Sequence, residues 1–326
     1  MQKRLEREPF ERTTISFYKY INIKNPEALR NKLWLEWMQL GVFGRIYLAK
    51  EGINAQFSVP TYLLDDFRLL IDSSNYFKDV PFKIAVEDDG KSFCKLDIKV
   101  RKKLVADGLD DGAFDTTNVG KHLTAKEFNK ILNQDDSICF DMRNNYEARI
   151  GHFDGAVCPD VETFRDELPV VLNELKDKPK DKPIILYCTG GIRCEKASAY
   201  LRHHGFNNVG QLHGGIIDYA HQITQEKLEN KYLGKNYVFD GRVAEAIGNE
   251  VLTNCDQCKC EADSYTNCKN KGCNELFIQC AECSVKLDGC CKEECQKIAN
   301  LPEDQQKELR KGYKHPKQIR RESCNL

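Results

Sequence analysis

Three things are missing from this sequence, and each absence narrows the class of protein. No apolar run approaches the ~18 residues that a transmembrane helix needs, which excludes a transmembrane helix. The first ten residues, MQKRLEREPF, lack the apolar stretch of a secretory signal, so we expect a cytoplasmic protein. The charges of the 49 basic and 50 acidic residues nearly cancel, so the chain lacks the overall positive charge that would indicate a DNA partner. No DNA partner is therefore expected.

Cysteine, in contrast, is abundant. The 326 residues are enough for two or three domains of ~150 residues, and 41% hydrophobic with 30% charged residues is typical of soluble globular proteins. There are 16 cysteines, and ten of them lie between Cys255 and Cys295. Because the cytoplasm is reducing, this density indicates metal binding or sulfur chemistry and not a disulfide framework.

The first part of the chain, residues 1–103, predicts a ferredoxin-like (acylphosphatase-like) α+β domain. Alternating and helical hydrophobic patterns follow one another in the order β-α-β-β-α-β, which is the order of that fold. The strands are expected at 14–18, 42–48, 53–59 and 82–86, and the helices after Pro26 and at 63–71.

The remainder of the chain divides into a linker and two further regions. Residues 104–121 are irregular and rich in glycine, which indicates the linker. From 122 to 222, apolar runs at 138–141 and 184–187 predict buried parallel strands, and helices fit 161–175 and 195–204. Residues 223–326 have too little aliphatic content for an apolar core, so we expect a cysteine-rich, metal-stabilised region with a basic tail.

A reactive cysteine is predicted in the run YCTGGIRCEKAS, residues 187–198, which follows a buried strand and opens a helix. Backbone N–H groups and the positive end of the helix dipole converge there on Cys188 and favour its thiolate. Such surroundings can lower a cysteine pKa from ~8.5 to ~3.5–7.5. Gly190 and Gly191 let the backbone curl, and Arg193 adds a positive charge. Cys188 and Arg193 are therefore the predicted catalytic residues.

Residues 122–221 resemble the rhodanese family. The family's active-site loop is a cysteine and an arginine separated by four residues, which corresponds here to Cys188, Thr189, Gly190, Gly191, Ile192 and Arg193. Asp141-Met142-Arg143, Glu147 and Leu212-His213-Gly214-Gly215 are similar to other signatures of the family. The resemblance implies a persulfide on Cys188 and an anion cradle that Arg193 helps to hold. Dual-specificity phosphatases of related fold have a loop one residue longer, which disfavours that class.

A second thiol, Cys194, lies six residues beyond Cys188. Two interpretations stay open for this residue. It resolves a sulfenic acid or a persulfide formed on Cys188, or it is a residue of the first helical turn that packs inward.

The cysteine-rich region contains four closely spaced pairs that are typical of zinc sites. The predicted metal ligands are Cys255, Cys258, Cys268, Cys273, Cys280, Cys283, Cys291 and Cys295. Eight thiolates are enough for about two structural zinc ions with four ligands each. An iron–sulfur cluster is the alternative, since it is also bound by cysteine. Which pairs share an ion is open, and Cys260 and one of Cys290 and Cys291 are predicted to be spare.

The order of the three regions over nearly the whole chain resembles the bacterial tRNA uridine hydroxylases. The loop sequence, Cys290-Cys291, and the segments 267–273 and 277–280 carry this resemblance. It implies formation of 5-hydroxyuridine at the wobble position (position 34), with tRNA bound through its anticodon region and oxygen as co-substrate. Two other classes stay open: a sulfurtransferase that carries a persulfide on Cys188, and a zinc-stabilised RNA-binding or adaptor protein.

The sequence does not indicate how oxygen is activated. It contains no nucleotide-binding glycine fingerprint and no convincing triad of two histidines and one carboxylate, so the redox cofactor is unidentified. One hypothesis is that the Cys188 thiolate attacks C6 of uridine and makes C5 electron-rich. The rival hypothesis is a persulfide on Cys188.

Two basic segments are candidates for contacts with RNA phosphates. Residues 307–321 contain seven basic residues and one acid, and residues 95–103 form a second basic cluster. A solvated C-terminus is the alternative interpretation of the first segment.

Overall fold

The first domain is a five-stranded sheet with two helices on one face. We analysed a computed structural model, which describes residue 5 and residues 8–110 and 112–311. The strands are β1 (Arg12–Tyr20), β2 (Phe43–Ala49), β3 (Gly52–Pro60), β4 (Lys83–Ile84) and β5 (Leu96–Val100), and the helices are α1 (Pro26–Gln39) and α2 (Leu64–Asp72). The strand order β4-β1-β3-β2-β5 confirms the predicted ferredoxin-like fold and adds β5, which pairs parallel to β2.

The two faces of this sheet differ because successive side chains of a strand point to opposite sides. Phe17 and Phe57 are buried and pack with Trp37 of α1 and Phe67 of α2 to form the core of the domain. The intervening residues of β1, such as Tyr18, point away from the helices. A polar face of the sheet is therefore presented to the next domain.

The middle domain is built on a parallel sheet, as predicted. Its strands are β6 (Lys121–Leu123), β7 (Ile138–Asp141), β9 (Ile184–Tyr187) and β10 (Val209–Leu212), in the order β6-β10-β9-β7. Its helices are α3 (Ala125–Leu132), α4 (Asn145–Arg149), α5 (Phe164–Glu174), α6 (Ile192–His203) and α7 (Gly215–Glu226). Helix α6 begins three residues earlier than the sequence predicts, because Gly191 directly precedes it and adopts a left-handed conformation.

A small second sheet follows the middle domain in the chain. It consists of β8 (Gly151–Phe153), β11 (Tyr232–Tyr237) and β12 (Ala244–Ala246). Strand β11 pairs antiparallel with β8, so residues after 222 return to pack on the middle domain.

The cysteine-rich region is small and contains short elements only. They are β13 (Tyr265–Asn267), β14 (Leu276–Ile278), α8 (Ala281–Lys286), α9 (Glu293–Ala299) and α10 (Glu303–Leu309). One packed cluster in this region has four buried residues. Three of them are cysteines, namely Cys268, Cys290 and Cys295. This agrees with the expectation that aliphatic packing alone does not stabilise the region.

The segment expected as a linker, residues 104–121, also takes part in the packing between the first and middle domains. Its described residues form no helix or strand before β6, but Asp107 is buried. Lys196 of α6 forms ion pairs with Asp107 at 2.7 Å and with Glu51 of the first domain at 3.0 Å. These pairs fix the polar face of the first sheet above the N-terminus of α6.

Within the described residues, every helix is too short or too polar to cross a membrane.

Candidate active site

The loop between β9 and α6 encloses the sulfur of Cys188. Tyr187 ends the strand, and Cys188 follows with its side chain fully buried. The backbone N–H of Gly191 donates a hydrogen bond to Cys188 Sγ at 3.1 Å. Gly191 has φ +97°, a conformation that residues with a Cβ atom rarely adopt, so the curl of the loop depends on this glycine.

The surroundings of Cys188 favour its thiolate. Burial by itself raises the pKa of a thiol, because it disfavours the charged form. Hydrogen bonding from the Cys194 thiol, the charge of Arg193 and the backbone N–H groups of Cys194 and Arg193 outweigh burial and lower the pKa of Cys188 to about 5. Cys188 is therefore ionised at neutral pH and is a ready nucleophile or sulfur carrier.

Cys194 lies beside Cys188 in the first turn of α6. It is fully buried, and burial together with the neighbouring Cys188 raises the pKa of its thiol well above the usual value. The Cys194 thiol is therefore protonated and donates to the Cys188 thiolate. Its role as a resolving thiol stays a prediction.

Arg193 is held by a carboxylate that comes from α4. Its guanidinium donates to Glu147 Oε1 at 2.6 Å and Oε2 at 2.9 Å, in a bidentate pair in which Glu147 is fully buried. The Thr189 hydroxyl also contacts both partners, at 3.4 Å from each. Arg193 therefore acts on the Cys188 thiolate through its charge, from a position that Glu147 fixes.

The start of α7 packs against the Cys188 loop and donates hydrogen bonds to its backbone. The N–H groups of Ile216 and Ile217 donate to the carbonyls of Cys188 and Thr189 at 3.0 and 3.2 Å. A Cβ atom on Gly215 would lie only 2.5 Å from the Cys188 carbonyl oxygen. Glycine is therefore required at residue 215, which lies in the segment that resembles the closing turn of a rhodanese.

A cavity of about 410 Å³ lies between the loop and the first domain. The loop lines it with Cys188, Thr189, Gly190, Ile192 and Arg193. The polar face of the first sheet lines it with Tyr18, Arg45, Tyr47, Asn54, Gln56 and Lys83. A ligand in this cavity would thus be enclosed by two domains and would reach the loop cysteine.

Tyr18 connects the two walls of the cavity. Its hydroxyl donates to Glu195 Oε1, in the first turn of α6, at 2.8 Å. Glu195 Oε1 also lies 2.9 Å from Nε2 of His122, and this contact raises the pKa of His122. The first domain is thus anchored directly beside the Cys188 loop.

The tail brings the eight predicted metal ligands together in two groups of four. One group is Cys255, Cys258, Cys280 and Cys283, and the other is Cys268, Cys273, Cys291 and Cys295. The first and third pairs along the chain share one group, and the second and fourth pairs share the other. Cys260 is exposed and Cys290 is buried, and neither belongs to a group.

The sulfur positions fit a tetrahedral ion. Four sulfurs at ~2.3 Å from one zinc ion would lie about 3.8 Å from one another. The separation is 3.6 Å between Cys258 and Cys280, 3.7 Å between Cys273 and Cys291, and 3.6 Å between Cys291 and Cys295. Both groups therefore have the donor set and the dimensions to bind a metal ion.

The tail also supports the helix that carries Glu147. Arg149, at the end of α4, forms an ion pair with Asp256 at 2.6 Å, and the Tyr265 hydroxyl donates to the Tyr146 carbonyl at 2.8 Å. Asp256 lies directly after the first cysteine of one group. A continuous set of contacts therefore runs from the tail through α4 to the Arg193–Glu147 pair.

Sequence reasoning did not assign two parts of this site. Glu147 was noted only as a family signature, and its contact with Arg193, 46 residues away, has no local signal. The cavity wall contributed by Arg45, Asn54 and Lys83 was also missed. Alternation along the strands shows which residues share a face, but not what that face contacts.

Of the C-terminal basic segment, only the part up to Lys311 lies within the described residues.

Comparison with protein families matches all three parts of the chain. Residues 12–104 match the UPF0176 acylphosphatase-like domain, residues 124–222 the rhodanese-like domain, and residues 233–296 the rhodanese C-terminal family.

Curated proteins match over nearly the full length of the chain. A protein named tRNA uridine(34) hydroxylase from Leptospira interrogans is 59% identical over 96% of this chain and 85% of its own. Proteins of the same name from Photorhabdus laumondii and Yersinia pestis are 49% and 45% identical over 98% and 100% of this chain, and over 91% and 92% of their own.

Proposed function

Because the chain belongs to the tRNA uridine(34) hydroxylase family, we propose that it hydroxylates C5 of the wobble uridine of tRNA, in the cytoplasm, with oxygen as co-substrate. The main structural support for the proposal is the cavity that lies between Cys188 and the polar face of the first domain. Its volume lies in the ~300–1,000 Å³ range of small-molecule sites, which suits a nucleobase.

Because Cys188 is fully buried at the cavity, a base would have to leave its neighbours to reach the sulfur. Enzymes that modify a base take it out of the stack, and anticodon-loop bases are single-stranded and easily displaced. Tyr18 and Tyr47 offer aromatic rings at the cavity, and Asn54 and Gln56 offer amides that can pair with the polar edge of uracil. We therefore assign the first domain to base recognition and the loop to chemistry.

Cys188 supplies the nucleophile in this proposal. Its thiolate adds to C6 of uridine, which moves electron density to C5, the atom that is to be hydroxylated. Arg193 stabilises the thiolate before the attack, and Glu147 positions Arg193. Hydroxylation takes one atom of O2 into the base, and the second atom leaves as water with two protons and two electrons from an external reductant.

Sulfur transfer is the second candidate function. It is favoured by one observation, the ring of N–H donors around Cys188 Sγ, which suits a persulfide as well as a thiolate. The aromatic rings and amides that the first domain adds to the cavity suit a nucleobase better than a small sulfur donor such as thiosulfate, so the cavity favours hydroxylation.

The two tail groups are proposed to bind structural zinc, about one ion each. Four thiolates leave no open coordination position for a substrate, so each ion would stabilise the fold of the tail and not take part in the reaction.

The proposal is tested by mass spectrometry of nucleosides from tRNA treated with the purified protein in air, with dithiothreitol as the reductant. Hydroxyuridine confined to position 34 is the expected product, and a strain lacking the gene should lose it. A parallel assay measures sulfur transfer from thiosulfate to cyanide. Sulfur transfer without any hydroxyuridine would replace the first candidate function by the second.

A further inference from the structure

Lys83 is a buried residue whose ammonium has no hydrogen-bond or ion-pair partner among the described residues. The residue is 5% exposed, on the short strand β4 at the edge of the first sheet. In the described part of the chain, no oxygen accepts a hydrogen bond from its ammonium and no carboxylate lies within ion-pair distance. Among the described residues, its ammonium lies over the face of the Tyr18 ring, 4.6 Å from Nζ to the ring centre.

Strand register aims Lys83 at the cavity. Lys83 pairs with Ser16 on β1, Ser16 with Gln56 on β3, and Gln56 with Arg45 on β2. Residues directly opposite one another in a sheet share a face. These four side chains therefore form one row across the polar face of the sheet, and all four line the same cavity as Cys188.

Little of Lys83 is exposed, and this burial lowers its pKa against the opposing influence of Asp218, Cys188 and Glu195, while its ammonium opens to the cavity. Those three groups act on it at a distance, and none forms a contact. The arrangement is explained if the missing partner is an anion, or an oxygen that becomes anionic, in the bound ligand.

We propose that Lys83 is a catalytic residue that donates a hydrogen bond to O4 of the uracil ring and stabilises the enolate formed when Cys188 adds to C6. This inference rests on the proposed function, and it assigns to the first domain a chemical task in addition to recognition.

The step is balanced without an oxidant. The bond from sulfur to C6 forms, the C5=C6 π pair moves between C5 and C4, and the C4=O4 π pair moves to O4. The negative charge of the thiolate thus travels to O4, where the Lys83 ammonium meets it. In D2O, the enolate takes up a deuteron at C5, and the original C5 hydrogen then leaves to solvent as a proton, which restores the enolate. Expulsion of the thiolate from C6 re-forms the C5=C6 bond and leaves deuterium at C5.

That reversibility provides the test. The full-length protein is incubated with tRNA in D2O under argon, and deuterium at C5 of uridine 34 is measured by mass spectrometry. Without oxygen, only addition and exchange are observed. We expect exchange by the wild type, and about 100-fold slower exchange by Lys83→Met at saturating tRNA, the loss typical of one oxyanion donor. Lys83→Arg, which keeps a cation, should retain part of the rate.

Two controls show that the loss is not structural. Lys32→Met removes the same charge from the exposed surface of α1 and should exchange at the wild-type rate. Lys83→Met removes a desolvated charge, so its melting temperature should equal or exceed that of the wild type. Its affinity for tRNA should fall no more than a few-fold, as expected for one lost hydrogen bond of about 1 kcal/mol.

Three results would overturn the inference. Exchange by Lys83→Met at the wild-type rate would remove Lys83 from the chemistry. Weaker tRNA binding with an intact exchange rate at saturation would reassign Lys83 to a phosphate contact. No exchange by a wild-type preparation that hydroxylates uridine in air would exclude the enolate while leaving the proposed function intact.

Discussion

The Cys188 loop and the tail both bury thiols, but they surround them with different partners. Around Cys188 the partners are backbone N–H groups, the Cys194 thiol and the Arg193 charge, which together stabilise one thiolate and hold its pKa at about 5. In the tail, sulfur lies close to sulfur, at 3.6–3.7 Å within the two groups of four, although N–H groups also donate to Cys280 and Cys295.

This difference shows how the same side chain takes two functions. In the loop, the protein itself supplies the positive potential, so the fold should not depend on the sulfur and the chemistry should. In the tail, four thiolates would repel one another without a cation, so the fold should depend on the sulfurs and the chemistry should not. The predictions below test this contrast.

The largest effect is expected for Cys188→Ser. Serine is nearly isosteric but is not ionised near neutral pH, so hydroxylation should fall by a factor of about 10³ or more while the melting temperature is kept. Nucleoside mass spectrometry and thermal unfolding measure the two quantities. Cys158→Ser, in the same domain but outside the loop, is the matched control and should stay active. Full modification of uridine 34 by the Cys188 variant would contradict the assignment.

The opposite pattern is expected in the tail. Metal analysis should find about two zinc ions per chain, and a strong chelator should release them and make residues 255–295 sensitive to protease. The middle domain has its own apolar strands and should stay folded. Cys255→Ser should lose one ion and solubility, whereas Cys260→Ser, outside both groups, should lose neither. A metal-free tail that resists protease would refute this, and a brown, iron-containing protein would indicate a cluster.

A smaller effect is expected on the pKa of Cys188 when the charge of Arg193 is removed and the loop stays folded. Replacing the buried pair together, Arg193→Met with Glu147→Gln, removes the positive charge without leaving a buried carboxylate unpaired. The pKa of Cys188 should rise from about 5 by about one unit for each ~1.4 kcal/mol of lost stabilisation. The pH dependence of Cys188 alkylation should therefore shift to higher pH.

The single substitution Arg193→Ala serves as the comparison for that double variant. It leaves Glu147 buried without its partner and should cost about 3–5 kcal/mol of unfolding free energy as well. An alkylation profile of Cys188 that does not change in either variant would show that Arg193 does not stabilise the thiolate.

The smallest effect concerns tRNA binding. Removing residues 312–326 deletes four of the seven basic residues of the C-terminal segment, so tRNA affinity should fall a few-fold. The slope of log affinity against log salt should become shallower by ~0.7 for each lost phosphate contact to a single strand. The modified base should stay the same. An affinity that does not depend on salt in the full-length protein would exclude electrostatic binding.

Local patterns in the sequence determined a large part of this picture. The β-α-β-β-α-β order, the parallel strands of the middle domain and the eight clustered cysteines are properties of neighbouring residues. So is the reactive loop, because one strand end, two glycines and one helix start fall within consecutive residues. Each of these depends on periodicity or on spacing of a few residues, which the chain fixes before any domain packs on another.

Only the tertiary structure decided which distant residues complete the sites. It joined Glu147 to Arg193, it placed the row of Lys83, Ser16, Gln56 and Arg45 opposite Cys188, and it paired the tail cysteines alternately along the chain. These contacts lie between elements that each satisfy their own local pattern. Which elements contact each other depends on the burial of whole faces and on the pairing of buried charges. Neither can be read from a short stretch of sequence.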